Sequence, residues 1–254
     1  MFKDLLDYVG KNRPHVLILI GPFVDAKQPL IDECNTNGES FDEIFNRLVK
    51  MLEALLVDLP MTQVVLQLCT RDVHHKFIYP TPPMKIDHPR IMAVPDPALI
   101  SIDGVIFGFT ATDILFQLGK EVIFYPPGAR DRMRGLANHL LQQRSFYPLY
   151  PPNEELNLDL EQLETMAKLD VQPHVLILPS DLNHFFKVVK LSFFREIELR
   201  FFSYFHFIQD INGGLVMNPS RLTKGAGGGV FCRMAIHAHK TNFTKNVNAE
   251  IVRI

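Results

Sequence analysis

Apolar residues fall into three short, nearly unbroken runs: Val16-Leu17-Ile18-Leu19-Ile20, Val64-Val65-Leu66-Gln67-Leu68 and Val175-Leu176-Ile177-Leu178. Runs of this length bounded by polar loops predict buried strands. A different rhythm separates the first two. Ile44, Phe45, Leu48, Met51, Leu52, Leu55 and Leu56 recur at helical spacing, and Ser40-Phe41-Asp42-Glu43 before them has the form of a capping box. Pro60 closes that helix. The first residues predict another helix, stopped by Gly10 and Pro14. Asp103-Gly104 between apolar runs predicts a hairpin, and Thr112 the cap of a short helix that Gly119 closes. Residues about 130–143 and 159–169 read as amphipathic helices separated by the rigid Tyr147–Pro152 stretch. Leu215–Met217, Val230–Ile236 and Ala249–Ile254 read as closing strands. Strands alternating with helices and followed by hairpins predict an α/β domain with a mixed sheet.

Composition narrows the possible functions. The chain has 254 residues, 47% of them hydrophobic, enough for a sizeable core. A formal charge of -2 and a pI near 6.5 argue against a dominant electrostatic grip on nucleic acid. Cys34, Cys69 and Cys232 are widely spaced, which predicts buried free thiols in a reducing compartment and no zinc quartet. No apolar run is long enough to span a membrane.

The three buried runs end in loops with polar residues, where open α/β sheets place their sites. After the first comes Gly21-Pro22-Phe23-Val24-Asp25, and after the second Arg71-Asp72-Val73-His74-His75. Asp25, Asp72, His74 and His75 can be read as remnants of a metal cluster. Equally, the two aspartates can cap loop amides while the histidines make packing contacts. Arg221–Gly225 before Gly227, Gly228 and Gly229 lacks the order of a phosphate loop, its glycines following the lysine, and reads as a special turn. Arg130, Arg132 and Arg134 alternate with Asp131 and Met133 and read as a solvated helix start.

Longer motifs are more specific. G-P-F-V-D-A-K (residues 21–27), R-D-V-H-H (71–75), Y-P-x-P-P (79–83), Q-R-S-F-Y-P-L-Y-P-P (143–152) and N-P-S-R-L-T-K-G (218–225) closely resemble the regulatory B subunits of DNA polymerase alpha–primase. The resemblance covers roughly residues 1–190 and 210–254. It implies a calcineurin-like phosphoesterase domain that has lost catalysis, with mixed sheets flanked by helices. Members of that family act as scaffolds that hold the zinc-binding C-terminal domain of the polymerase catalytic subunit and help couple it to primase. For this chain the resemblance implies a nuclear accessory subunit in DNA replication. It would have no cofactor, no membrane attachment, and weak or indirect contact with DNA.

Carried over residue by residue, the phosphoesterase pattern is broken here. The metal-bridging aspartate of G-D-x-x-D falls on Pro22, and the later, non-ligand aspartate is Asp25. The G-N-H-D/E loop falls on Cys69-Thr70-Arg71-Asp72, so the catalytic histidine becomes Arg71, whose permanent positive charge would repel a metal ion. The isolated histidine motif falls near Gln142-Gln143-Arg144. The final G-H-x-H falls on Pro179-Ser180-Asp181-Leu182, with neither imidazole. Gly21, Pro22, Asp25, Arg71, Asp72 and Ser180 thus outline a vestigial pocket with no catalytic or metal residues. The rigid Pro-rich loops make Tyr79, Tyr147 and Tyr150 candidate partner-binding residues.

The chain departs from the family in two places. The family's opening strand and its oligonucleotide/oligosaccharide-binding domain have no counterpart. That pattern fits a short isoform, a truncated paralogue or an incomplete gene sequence, and implies an exposed sheet edge. Residues 191–209, with six of the 20 phenylalanines, also have no counterpart, and removing them restores the family register. We read them as a translated intron; a partner-binding amphipathic helix and a core helix are the other readings. Residues 1–254 are otherwise read as one inactive phosphoesterase-like domain. Two competing functions follow from the same residues: a divergent single-metal phosphodiesterase using Asp25, Asp72 and His74, and a truncated product without function.

Overall fold

The computed structural model describes residues 1–36, 38–123, 131–189, 214–224, 227–237, 243 and 246–254, and the elements below are those of the described residues. Arg130, Gly225 and the unmatched segment 191–209 lie outside them. In order, the elements are α1 (Phe2–Asn12), β1 (Val16–Ile20), α2 (Pro29–Asp32), α3 (Phe41–Asp58), β2 (Gln63–Gln67), β3 (Ile91–Val94), β4 (Ala98–Ile102) and β5 (Val105–Phe109). They continue with α4 (Ile114–Glu121), α5 (Arg132–Gln143), α6 (Leu160–Met166), β6 (Val175–Ile177), β7 (Phe185–Val189) and β8 (Gly214–Asn218). The last are β9 (Thr223–Lys224), β10 (Gly227–Gly228), β11 (Val230–Ile236) and β12 (Val247–Arg253).

Local chemistry accounts for most of these boundaries. Ser40 and Glu43 form the reciprocal capping box at the start of α3, satisfying amide groups that a helix leaves unpaired. The two-residue loop between β4 and β5 has positive φ at both Asp103 (45°) and Gly104 (82°), the geometry whose twist suits an antiparallel hairpin. The cap of α4 is Asp113, which accepts from the Phe116 amide at 3.0 Å, and not Thr112. Thr112 turns inward, donating to Asp96. Gly119 does not stop α4, which continues to Glu121.

Alternation along the strands sorts the core into layers. In the parallel sheet β1-β2-β3, Leu19, Val64 and Leu66 pack with Leu5, Phe45, Leu52 and Leu56 of α1 and α3. Val65 and Val94 point the other way, against Phe107, Phe109, Val175, Ile177 and Met217 of a second sheet. That sheet has the order β4-β5-β6-β8-β7, antiparallel at both ends and parallel in the middle. Its outer residues Leu176 and Val216 meet Ile114, Leu115, Leu118, Leu136 and Leu140 of α4 and α5. Two helical layers therefore enclose two sheets, an α/β architecture with a mixed sheet as the pattern predicts. Leu52 and Leu56 are fully buried; truncating either to alanine would cost about 2–5 kcal/mol. No described helix is long and apolar enough to cross a membrane.

Candidate functional site

The loops after β1 and β2 meet around one carboxylate. Asp72 is fully buried, and its Oδ1 accepts from the backbone amides of Phe23 (2.6 Å) and Val24 (2.9 Å). Its Oδ2 accepts from the Cys69 amide at 3.0 Å. One side chain thus ties the Gly21–Asp25 loop to the turn containing Thr70 and Arg71. The approach is close enough to exclude a side chain at Gly21, where a Cβ would lie 2.6 Å from Asp72 Oδ2 and 3.3 Å from the Gln67 carbonyl. Pro22 follows, and its side chain offers no donor atom for a cation.

Asp25 is also occupied. Arg71 makes a two-pronged ion pair with it, from Nε to Oδ1 at 3.0 Å and from Nη2 to Oδ2. The backbone reinforces the junction, with Ala26 N–H donating to the Arg71 carbonyl and Val73 N–H to the Val24 carbonyl. The guanidinium therefore neutralises the carboxylate that a metal would need. His74 lies flat against Phe45, ring centroids 4.2 Å apart. Burial holds its pKa below the usual imidazole value. His75 instead places Nε2 2.7 Å from the Pro82 carbonyl, bracing the proline-rich loop. Among the described residues no three His, Cys, Asp or Glu side chains converge as metal ligands. The donor set does not fit a two-metal centre, which requires several carboxylate and imidazole ligands converging on ions about 4 Å apart.

The third loop is built around an asparagine that pattern analysis did not single out. Asn218 is fully buried; its Oδ1 accepts from the amides of Ser180 (3.0 Å) and Ser220 (2.8 Å). Its Nδ2 donates to the carbonyls of Leu182 (3.1 Å) and Asn183 (3.3 Å). Ser180 Oγ accepts from the Leu182 amide, so the serine shapes the turn. Asp181 at the rim pairs with Arg221. Gly229 approaches the Arg221 carbonyl so closely that a Cβ would overlap it at 2.1 Å. In that region the glycines permit backbone contact.

Asp96 is the other buried carboxylate that the sequence reading missed. Burial pushes its pKa up to about 7, against the opposing effect of the Thr110 hydroxyl, the Ala111 amide and the Thr112 hydroxyl. Those donors lie 2.7, 2.9 and 3.4 Å from it. Its backbone pairs with Thr81, so it joins the proline-rich loop to the second sheet. An aspartate between two prolines was its one sequence signal.

The candidate partner-binding tyrosines separate into two kinds. Tyr79 is fully buried, its hydroxyl 3.3 Å from Thr110 Oγ1. Tyr147 is buried too, donating to Gln117 Oε1 at 2.8 Å and accepting from the Asn153 amide. Both rings belong to the core beside α4 and α5, and neither is placed to anchor a partner. Tyr150 is 81% exposed. Arg132 donates to the Gly119 carbonyl at 2.7 Å, closing α4 onto α5, while Arg134 is exposed.

The chain matches the family of DNA polymerase alpha/epsilon B subunits over residues 1–187. It is 36% identical over 264 residues to the DNA polymerase alpha B subunit of Rattus norvegicus, covering 99% of this chain and 40% of that protein. Its identity to the DNA polymerase alpha B subunit of Mus musculus is 37%, over 91% of this chain and 36% of the relative. For the Drosophila melanogaster protein of the same name it is 33%, over 99% of this chain and 37% of the relative. The chain thus spans about two fifths of the length of these curated relatives. With the match extending over most of its residues, the chain belongs to the family of DNA polymerase alpha/epsilon B subunits.

Proposed function

We propose that the chain is a non-catalytic accessory subunit of the DNA polymerase alpha–primase complex, a nuclear scaffold acting in the initiation of DNA replication. In this reading residues 1–254 form a calcineurin-like phosphoesterase domain without its metal site. The domain binds the zinc-binding C-terminal domain of the catalytic subunit and is linked to primase through the complex. One observation carries the proposal: both carboxylates of the pocket loops, Asp72 and Asp25, are bonded within the protein. Asp72 serves three backbone amides, and Asp25 is closed by Arg71. Family membership supports the same role. Of the tyrosines in the proline-rich loops, exposed Tyr150 is the one suited to an interface, where tyrosine is enriched.

The test is co-purification of the full chain with the zinc-binding C-terminal domain of the catalytic subunit. We expect a stoichiometric complex, weakened roughly tenfold by Tyr150→Ala, a hot-spot-sized loss. Purified protein should carry no stoichiometric Mn, Fe or Zn and should leave bis(p-nitrophenyl) phosphate intact. Failure to co-purify, or bound metal with hydrolysis lost in Asp25→Asn, would overturn the scaffold reading.

A further inference from the structure

A cleft of about 2250 Å³ runs between β1 and β11, two strands that do not bond to each other among the described residues. At its loop end the lining includes three cations from separate parts of the chain: Lys27 after β1, Arg71 after β2 and Lys120 in the last turn of α4. One carboxylate meets them. Glu155, between α5 and α6, accepts from Lys27 Nζ at 2.5 Å. Lys27, and then Lys120 and Arg71, hold its carboxyl below the usual carboxylate range. The segment bearing Glu155 is rooted without that ion pair. Asn153 N–H donates to the Tyr147 hydroxyl, Glu155 N–H to Asn153 Oδ1 and Leu156 N–H to the Asn153 carbonyl. The Glu155 side chain is 73% exposed, so it can swing aside while its backbone stays.

The charges at this end do not balance. Arg71 is matched by Asp25, which also accepts from the Lys27 amide. Asp113 is committed to the amides of Phe116 and Asp181, and Asp181 to Arg221. Among the described residues lining this end, Glu155 is then the one counter-charge for both Lys27 and Lys120. Lys120 has no ion pair among the described residues; its ammonium sits 4.5 Å from the centre of the Phe116 ring. Two ammonium groups against one carboxylate leave an excess of one positive charge. It stands at a recess, where solvent and salt screen less than on an open surface.

We propose that Lys27 and Lys120 form a binding site for a phosphate monoester or free phosphate, and that Glu155 occupies this site as an internal competitor. The ligand's chemistry follows from the imbalance. A phosphate monoester carries roughly −1.5 to −2 charges at pH 7 and three acceptor oxygens, enough to match both ammonium groups at once. A carboxylate ligand would only repeat what Glu155 already does, and a phosphodiester brings a single charge. Displacing Glu155 is easy, because exposed ion pairs contribute little. The half-exposed Phe116 ring beside Lys120 offers a stacking surface to the base of a nucleoside monophosphate. None of Lys27, Lys120 and Glu155 is a position of the phosphoesterase metal pattern, and the site uses no metal. The proposal goes beyond the scaffold reading and requires no polymerase partner.

The experiment titrates the full chain with inorganic phosphate and with adenosine 5′-monophosphate, at fixed ionic strength and with a chelator present, and reads binding by phosphorus NMR. Saturable binding at one site is expected. Glu155→Gln should tighten it about fivefold, the size of one exposed ion pair, whereas Lys120→Ala should weaken it about tenfold through loss of a charge-assisted hydrogen bond. All the substituted side chains are exposed, and unfolding curves confirm that the variants keep the fold. Dimethyl phosphate, with one charge, should bind at least about tenfold more weakly than phosphate. Tighter binding of the nucleotide than of phosphate, lost in Phe116→Ala, identifies a nucleoside monophosphate as the source; equal binding identifies free phosphate. The proposal falls if Glu155→Gln does not tighten binding, because the glutamate is then no competitor. It falls equally if Lys120→Ala binds unchanged, or if dimethyl phosphate binds as well as phosphate, the mark of a diffuse positive surface.

Discussion

The loop pocket and the cleft beside β1 are contiguous, yet they use their polar groups in opposite ways. In the pocket, the oxygens of Asp72 are taken by three backbone amides, and Asp25 is closed by Arg71. Along the cleft, the even-numbered backbone groups of β1 face away from β2, its one strand partner among the described residues. The first region is sealed by side chains, while in the second no backbone hydrogen bonds extend across the cleft among the described residues. Chemistry on a small molecule needs unspent side-chain donors and acceptors, and association of chains needs unspent backbone and apolar surface.

The comparison is sharpened most by removing the seal. Asp72→Ala would orphan three amides in a buried junction. Since hydrogen bonds to a charged group are worth about 1.5–3 kcal/mol each and partly relax together, a loss of about 3–5 kcal/mol is expected. Urea unfolding measures it. A loss below about 1 kcal/mol, the net worth of a single ordinary hydrogen bond, would show that the loops hold together by other means and that the pocket is less closed than its geometry indicates.

Next in size is the pH dependence set by Asp96. Its folded pKa of about 7 stands above the value near 3.9 of an unfolded chain. The folded state therefore holds the proton more tightly. This contribution is full below about pH 4 and is lost as pH rises through 7. The loss should be on the order of 2–4 kcal/mol for a group this buried. Asp96→Asn should flatten that slope in unfolding curves taken from pH 4 to 8, and a slope unchanged by the substitution would assign it to other groups.

The smallest effect should come from the rim. The Arg71–Asp25 pair is about a quarter exposed on each side, so Arg71→Ala should cost only about 0.5–1 kcal/mol. It should also leave the protein unable to retain Mn or Zn through gel filtration, because Asp25 and the Asp72 clamp still supply no converging ligand set. Metal retained by this variant would mean that the arginine alone keeps a latent site closed.

Much of the local structure was legible in the chain. The α3 capping box, the Asp103-Gly104 hairpin and the β1 run each depend on residues within a few positions of one another, where backbone preference and side-chain chemistry act directly. The absence of a ligand at Pro22 and the cation at Arg71 were equally plain, since a residue's chemistry does not depend on its fold. Strand β3 was not foreseen: its four residues, Ile91–Val94, sit between prolines and gain their identity by pairing with β2.

What the tertiary structure alone decided was which groups meet. Tyr79 and Tyr147 read as interface residues until the packing of α4 and α5 enclosed them. Asp72 and Asn218 became the clamps of three loops because strands far apart in sequence end side by side. Asp96 acquired its raised pKa from burial. The cleft between β1 and β11 is likewise invisible in either strand alone. Sequence determines what each residue can bond, but burial and pairing depend on contacts across the whole chain, which only the folded arrangement supplies.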